Sequence, residues 1–149
     1  MKNLSEMNLA MASDHAGFAL KQKVRAFLEE QGAKVKDFGC YSTESCDYPD
    51  FAHPLADAVE KGELDFGIVI CSPGNGICIT ANKHQGIRAA LCWDTPLAEL
   101  ARQHNNANVL GMPANFISEE KALDIVRTFF TTDFEGGRHE RRVNKIAIH

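Results

Sequence analysis

One thiol in this chain stands where a strand runs into a turn suited to holding an anion. The apolar run 66–70 ends in Cys71 and passes into Ser72, Pro73, Gly74, Asn75 and Gly76 before resuming as Ile77, Cys78, Ile79 and Thr80. Such a turn lets several backbone N–H groups converge on one point, and a following helix adds its positive end. Both effects lower a thiol pKa and hold an oxyanion. A thiolate placed there is a base or a nucleophile. The plain alternative is that Cys71 packs as a small hydrophobe and that Gly74 and Gly76 only permit a sharp connection. Cys78 reads as core.

Other polar groups sit at comparable junctions. Asp14 and His15 follow the first apolar run, where a carboxylate also serves as a helix cap. His104 and Asn105 close a helical segment, where an imidazole suits the C-terminal dipole and asparagine suits a turn. Arg138, His139, Arg141 and Arg142 lie close together after a Gly-Gly break. They are either an anion site or a solvated charged face. Gly-Lys-Ser/Thr does not follow the glycine turn and GxGxxG is absent, so no nucleotide-binding loop is indicated.

The elements that must position these groups alternate regularly. Residues 9–12 form a short apolar strand, and Leu20, Val24, Phe27 and Leu28 have helical spacing, with Ser13 or Asp14 as cap. Gly32 ends that helix and residues 33–38 resume as a strand. A turn-rich stretch, 39–49, precedes an amphipathic segment with Leu55, Ala56 and Val59, and then the strand that ends at Cys71. Residues 87–92, 95–104 and 109–110 repeat strand, helix and strand. A last long helix begins after Ser118, with a capping-box glutamate expected. Wholly apolar strands alternating with helices predict a Rossmann-like three-layer α/β/α sandwich around a mostly parallel sheet of about five strands, forming a single domain over 1–149. Ligands in such sheets bind beyond the carboxyl ends of the strands. The tail, 134–149, carries Val143, Ile146 and Ala147 on a short extra helix, a face that predicts packing against a second subunit.

Composition narrows the function classes. The 149 residues carry a formal net charge of −4, against a nucleic-acid or membrane-surface role. No apolar stretch approaches the roughly 20 residues of a membrane span, and residues 1–13 lack a signal-like apolar core, so a cytoplasmic location is expected. The five cysteines include no CxxC pair; reduced thiols, with no zinc knuckle, are expected.

Seven blocks occur in order: SDHAGF, DYPDFA at 47–52, ICSPGNGI at 70–77, ANK at 81–83, GIRAALC at 86–92, RQHNNANVL at 102–110 and FEGGRHERRV at 134–143. Together they resemble the ribose-5-phosphate isomerase B family, which includes galactose-6-phosphate and allose-6-phosphate isomerases, over nearly the whole length. The resemblance implies an aldose–ketose isomerase without metal or cofactor, working through an enediolate on a sugar phosphate. It implies Cys71 as the base, with amides from Ser72, Gly74, Asn75 and Gly76 around the anion. His104 matches the ring-opening group and Asp14 its assistant. His15, Tyr48 and Asn105 match substrate contacts. Arg138 and Arg142, with His139 beside them, match the phosphate site, and guanidinium forks suit phosphate. A homodimer, or a tetramer built on it, is implied, with part of each site supplied by the partner.

Two departures bear on the substrate. The family pattern Cys-Gly-Thr-Gly is here Cys71-Ser72-Pro73-Gly74, so a threonine hydroxyl is missing and Pro73 offers no N–H. Asn115 stands where an arginine is usual. A hexose 6-phosphate or another aldose is the alternative substrate, and a non-catalytic sugar-phosphate-binding module is the alternative of a different class.

Overall fold

The computed structural model describes residues 1–148; His149, the end of the predicted tail, lies outside them. Five parallel strands, β1 (Asn8–Ser13), β2 (Lys34–Asp37), β3 (Phe66–Cys71), β4 (Ala89–Leu91) and β5 (Val109–Pro113), form one sheet in the order β2-β1-β3-β5-β4. Helices α1 (Phe18–Glu30), α2 (Pro49–Glu60), α3 (Asn75–Ala81), α4 (Thr95–Asn105), α5 (Glu119–Phe130) and α6 (Arg138–Val143) follow the strands. The expected three-layer sandwich is the observed one.

Strand alternation builds the two layers. Leu9, Met11, Ile68, Ile70, Leu110 and Met112 pack with α1, α4 and α5, whereas Ala10, Ala12, Val69 and Cys71 pack with α2 and α3. The second face is made of smaller residues, which brings α3 close to the sheet: a Cβ on Gly111 would collide with the Cys78 sulfur. On the first face α5 buries Ala122, Ile125, Val126, Phe129 and Phe130, at the i, i+3, i+4, i+7 and i+8 positions of one helical stripe. Phe66 meets Phe129 and Phe130 edge-on, at centroid distances of 6.1 and 5.7 Å.

Local details differ from the sequence expectation. The strand predicted over 87–92 forms only at Ala89–Leu91, while the one at 109–110 extends to Pro113. The Ser118 hydroxyl accepts from the Lys121 N–H at 3.0 Å, but the third helical position is this lysine, so the glutamate arm of a capping box does not form. Helix α1 starts at Phe18 with Gly17 as its cap. Asp14 instead accepts from the Gly17 N–H at 2.9 Å, closing the turn between β1 and α1. Gly17 has no room for a side chain, because a Cβ would sit 2.5 Å from the Ile70 carbonyl oxygen.

The chain crosses from β1 to β2 on one side and reaches β4 and β5 on the other, so the strand order reverses between β1 and β3. The carboxyl ends of those two strands are where such a sheet opens a crevice. Asp14 and Cys71 stand at those ends.

Candidate active site

At the carboxyl edge β3 delivers Cys71, only 3% exposed. Gly74 holds a left-handed backbone (φ 83°) and leads directly into the seven-residue helix α3. The N–H groups of Ile77, Gly74 and Gly76 face the Cys71 sulfur. The nest therefore points at the thiol itself, and its reach extends to Ile77, one residue beyond the turn expected from sequence. Burial nevertheless outweighs the three amides, and the nearby Asp14 carboxylate adds to it, so the Cys71 thiol lies above its usual pKa.

The sign of that shift fixes a pH dependence. A thiol raised above its ordinary pKa is protonated at neutral pH, so the fraction able to act as base grows with pH. If Cys71 is the base, kcat/KM should climb about tenfold per unit from roughly pH 6 to pH 8. A plateau already established below pH 7 would contradict it.

Around Cys71 the same edge gathers most of the groups expected from sequence. Asp14 is 8% exposed and its N–H donates to the Ile70 carbonyl at 3.2 Å. The ring of Tyr48 lies against Gly76, where a Cβ would stand 2.5 Å from Cζ. His15 Nδ1 accepts from the Cys46 N–H at 3.3 Å, which holds the imidazole at the mouth of the loop leading to Tyr48. Asn115 follows β5 and donates through Nδ2 to the Ser72 hydroxyl at 2.6 Å, while its N–H donates to the Ser72 carbonyl at 3.1 Å. The two positions at which this chain leaves the family pattern are thus in contact, as an uncharged pair. Asn75 is exposed at the start of α3.

A buried ion pair shapes this edge from behind. Lys21 is fully buried, and its Nζ donates to Asp37 Oδ1 at 2.6 Å and to the Cys40 carbonyl at 2.5 Å. The Gly39 N–H donates to the same Asp37 oxygen at 2.8 Å. Gly39 and Cys40 in turn exchange backbone bonds with Ser13. The loop carrying Cys46 and Tyr48 is therefore anchored to β1 by a pair that sequence reading passed over, because a single lysine in an amphipathic helix reads as a solvated charge.

The remaining groups assemble elsewhere. Helix α4 runs back along the sheet and ends just before β5, so His104 and Asn105 lie at the amino edge. Strand β5 separates the edges by its five residues, about 15 Å at the usual strand rise. His104 stacks on His139, with centroids 4.2 Å apart and planes 12° from parallel. Glu135 Oε1 lies 3.4 Å from His139 Nε2 and 3.9 Å from His104 Nε2. His139 is buried and its Nε2 has no hydrogen-bond partner among the described residues. Burial, the neighbouring His104 and Arg138 push its pKa down against the opposing pull of Glu135, so the ring is neutral at pH 7. Arg138 and Arg142 are exposed on α6 beside it.

Arg102 fixes this second cluster. It is 5% exposed, with Nε donating to the Thr132 carbonyl at 3.1 Å and Nη1 to Asn106 Oδ1 at 2.9 Å and the Ala107 carbonyl at 2.7 Å. Neither Arg102 nor Glu135 was singled out from sequence, although both lie inside the blocks RQHNNANVL and FEGGRHERRV. His104, Glu135 and His139 offer ligand atoms within 4.8 Å of one another. A metal ion wants ring nitrogens whose in-plane lone pairs converge at about 2.0–2.1 Å, and nearly parallel stacked rings do not converge. This arrangement fits a sugar hydroxyl better than a metal.

The Ribose/Galactose Isomerase family model matches residues 9–146. Ribose-5-phosphate isomerase B of Escherichia coli (strain K12) is 46% identical over 139 residues, covering 93% of each chain. A crystal structure of a ribose 5-phosphate isomerase from Thermotoga maritima is 51% identical, with a TM-score of 0.94 over 95% of this chain and 98% of that one. A crystal structure of ribose-5-phosphate isomerase B from Mycoplasma genitalium with bound ribulose-5-phosphate is 44% identical, with a TM-score of 0.90 over 95% of this chain and 94% of that one. With a match over almost its whole length, the chain belongs to the ribose/galactose isomerase family.

Proposed function

We propose that this protein interconverts ribose 5-phosphate and ribulose 5-phosphate through an enediolate. The observation that carries the reading is Cys71 at the strand-order reversal with three backbone N–H groups facing its sulfur, in a chain 46% identical to a ribose-5-phosphate isomerase B. Moving a proton between adjacent carbons needs one base that serves both, and donors that stabilise the oxygen charge formed between the two transfers. The Cys71 thiolate takes the proton from C2 and returns it to C1, and the amides of Ser72, Gly74, Asn75 and Gly76 hold charge at this edge. Asp14 and His15 orient sugar hydroxyls. His104 opens the cyclic sugar, and Arg138 and Arg142 take the phosphate with His139 beside them. Asn105 and Tyr48 contact the substrate, as do Ser72 and Asn115.

These roles need two copies of the chain. Cys71 and His104 belong to opposite edges of one sheet, so a whole site forms when the amino edge of one copy covers the carboxyl edge of another. The exposed side of the tail, with Ile146 53% exposed, suits that packing. A homodimer is the assembly proposed. No helix among the described residues is long and apolar enough to cross a membrane, and the reaction needs no membrane or nucleic-acid partner.

The uncharged Ser72–Asn115 pair favours one second reading, a longer or differently substituted aldose phosphate. Incubation with pentose and hexose phosphates in deuterated water separates the readings. Ribose 5-phosphate should give ketose and carbon-bound deuterium fastest. A hexose 6-phosphate turning over faster would move the assignment to that sugar, and a blank across all of them would leave a binding module. His104→Asn should slow cyclic substrates more than an open-chain analogue, and equal loss on both would remove its ring-opening role.

A further inference from the structure

We propose that Cys46 and Cys40 are a peroxide-reactive pair that closes to a disulfide at the carboxyl end of β1, a site separate from Cys71. Of the five free cysteines, Cys40, Cys71, Cys78 and Cys92 are buried, and Cys46 alone is partly exposed. Cys40 is its neighbour, close enough to help hold the Cys46 thiol above its ordinary pKa. The Cys46 sulfur also lies 3.9 Å from His15 Nδ1, and the Cys40 sulfur 3.9 Å from the Ser13 hydroxyl and 3.3 Å from the Ser42 carbonyl oxygen. Both sulfurs therefore rest on the last residues of β1 and the turn after it. The segment between the two cysteines belongs to no helix or strand, so its backbone is free to adjust when a bond forms between them.

The neighbouring groups suit the chemistry. His15 Nδ1 accepts from the Cys46 N–H, so the neutral ring carries its proton on Nε2 and turns an unprotonated nitrogen toward the thiol. With hydrogen peroxide as oxidant, the Cys46 sulfur gives up its proton and attacks one peroxide oxygen. The S–O bond forms, the O–O bond breaks, and one water leaves. The Cys40 sulfur then attacks Cys46: the S–S bond forms, the S–O bond breaks, the Cys40 proton goes to the departing oxygen, and a second water leaves. Two thiols lose two electrons and one peroxide becomes two waters. Burial and the Cys40 neighbour hold the Cys46 thiol above its ordinary pKa, so the rate should rise with pH.

A cross-link would be felt at the site, because the Cys46 backbone holds His15 and Tyr48 follows two residues later. Only this consequence rests on the isomerase reading.

The test treats the full-length protein with hydrogen peroxide at pH 7 and pH 9, blocks remaining thiols, digests with trypsin and weighs the fragments. Lys36 and Lys61 bound one peptide, 37–61, that contains both cysteines and no other trypsin site. The expected product is that peptide about 2 Da lighter and unalkylated, restored by dithiothreitol, and formed faster at pH 9. Cys46→Ser should slow oxidation of the peptide about tenfold or more, and Cys40→Ser should leave Cys46 stopped at added oxygen, with its untreated turnover retained. Added oxygen on Cys46 of the unsubstituted protein with Cys40 still alkylated would overturn the pair, as would equal reactivity of Cys46→Ser. The peptide mass needs no turnover, so failure of the isomerase reading leaves this result to stand or fall alone. If the reading holds, turnover of the oxidised protein should fall and recover with dithiothreitol.

Discussion

Cys71→Ala should lower ribose 5-phosphate isomerisation by about 10³- to 10⁴-fold while leaving the protein folded. The scale is that of losing a positioned base from a reaction that is proton transfer in both halves, with the orienting groups still present. The structural cost is small. Cys71 lies on the sheet face made of small residues, against α2 and α3, and alanine removes a single sulfur atom. About 1 kcal/mol of destabilisation is expected from so small a cavity, visible as a few degrees in Tm. Far-UV circular dichroism and the elution volume should match the unsubstituted protein. Cys71→Ser keeps the volume but substitutes a far weaker acid, and should be nearly as inactive. Near-wild-type turnover in either variant would show that another group moves the proton.

Serine is informative because the N–H groups of Gly74, Gly76 and Ile77 face the position 71 atom whatever it is. Those amides stabilise an anion there, but a hydroxyl lies too far above neutral pH for three hydrogen bonds to ionise it. A thiol, raised by burial from a lower starting point, stays within reach of deprotonation. The nest therefore favours cysteine at this strand end over any other small polar residue.

The fold was legible in the sequence because its signals are local. Apolar runs too short for helices, helical spacing at Leu20, Val24, Phe27 and Leu28, and glycines at the junctions fix the alternation. A parallel sheet follows from the alternation alone. Strand ends were less legible, since Met112 and Pro113 extend β5 through pairing with Ile70 and Cys71, a contact no local window contains. Cys71, with its glycine turn, was recognisable from local chemistry, and the family blocks supplied the residues on the other edge. The groups that were missed act through distant partners. Lys21 looks like any helix-surface lysine until Asp37 and the Cys40 carbonyl close on it. Glu135 has no distinguishing neighbour in sequence, and its relation to His104 appears only when the tail packs on α4, where the Glu135 N–H donates to the Gln103 carbonyl at 3.0 Å.

The separation of Cys71 and His104 on opposite sheet edges leads to the sharpest expectation. Cys71→Ala and His104→Asn should each be nearly inactive toward the cyclic sugar, yet an equal mixture of the two, exchanged through mild denaturant and refolded, should regain activity. Random pairing makes half of the dimers mixed, and each mixed dimer has one site with both an intact thiol and an intact imidazole. Its other site lacks both. About a quarter of the unsubstituted activity should therefore return, with KM unchanged because the restored sites are whole. The recovery should track the mixed species across mixing ratios, peaking at equal amounts. If both residues served one site from the same chain, every site in the mixture would lack one of them and nothing would return. Light scattering on the same samples should report a dimer at micromolar concentration. A monomeric mass with full activity would require His104 to act across the length of β5, about 15 Å, far beyond the hydrogen-bond reach that proton transfer to a bound sugar demands.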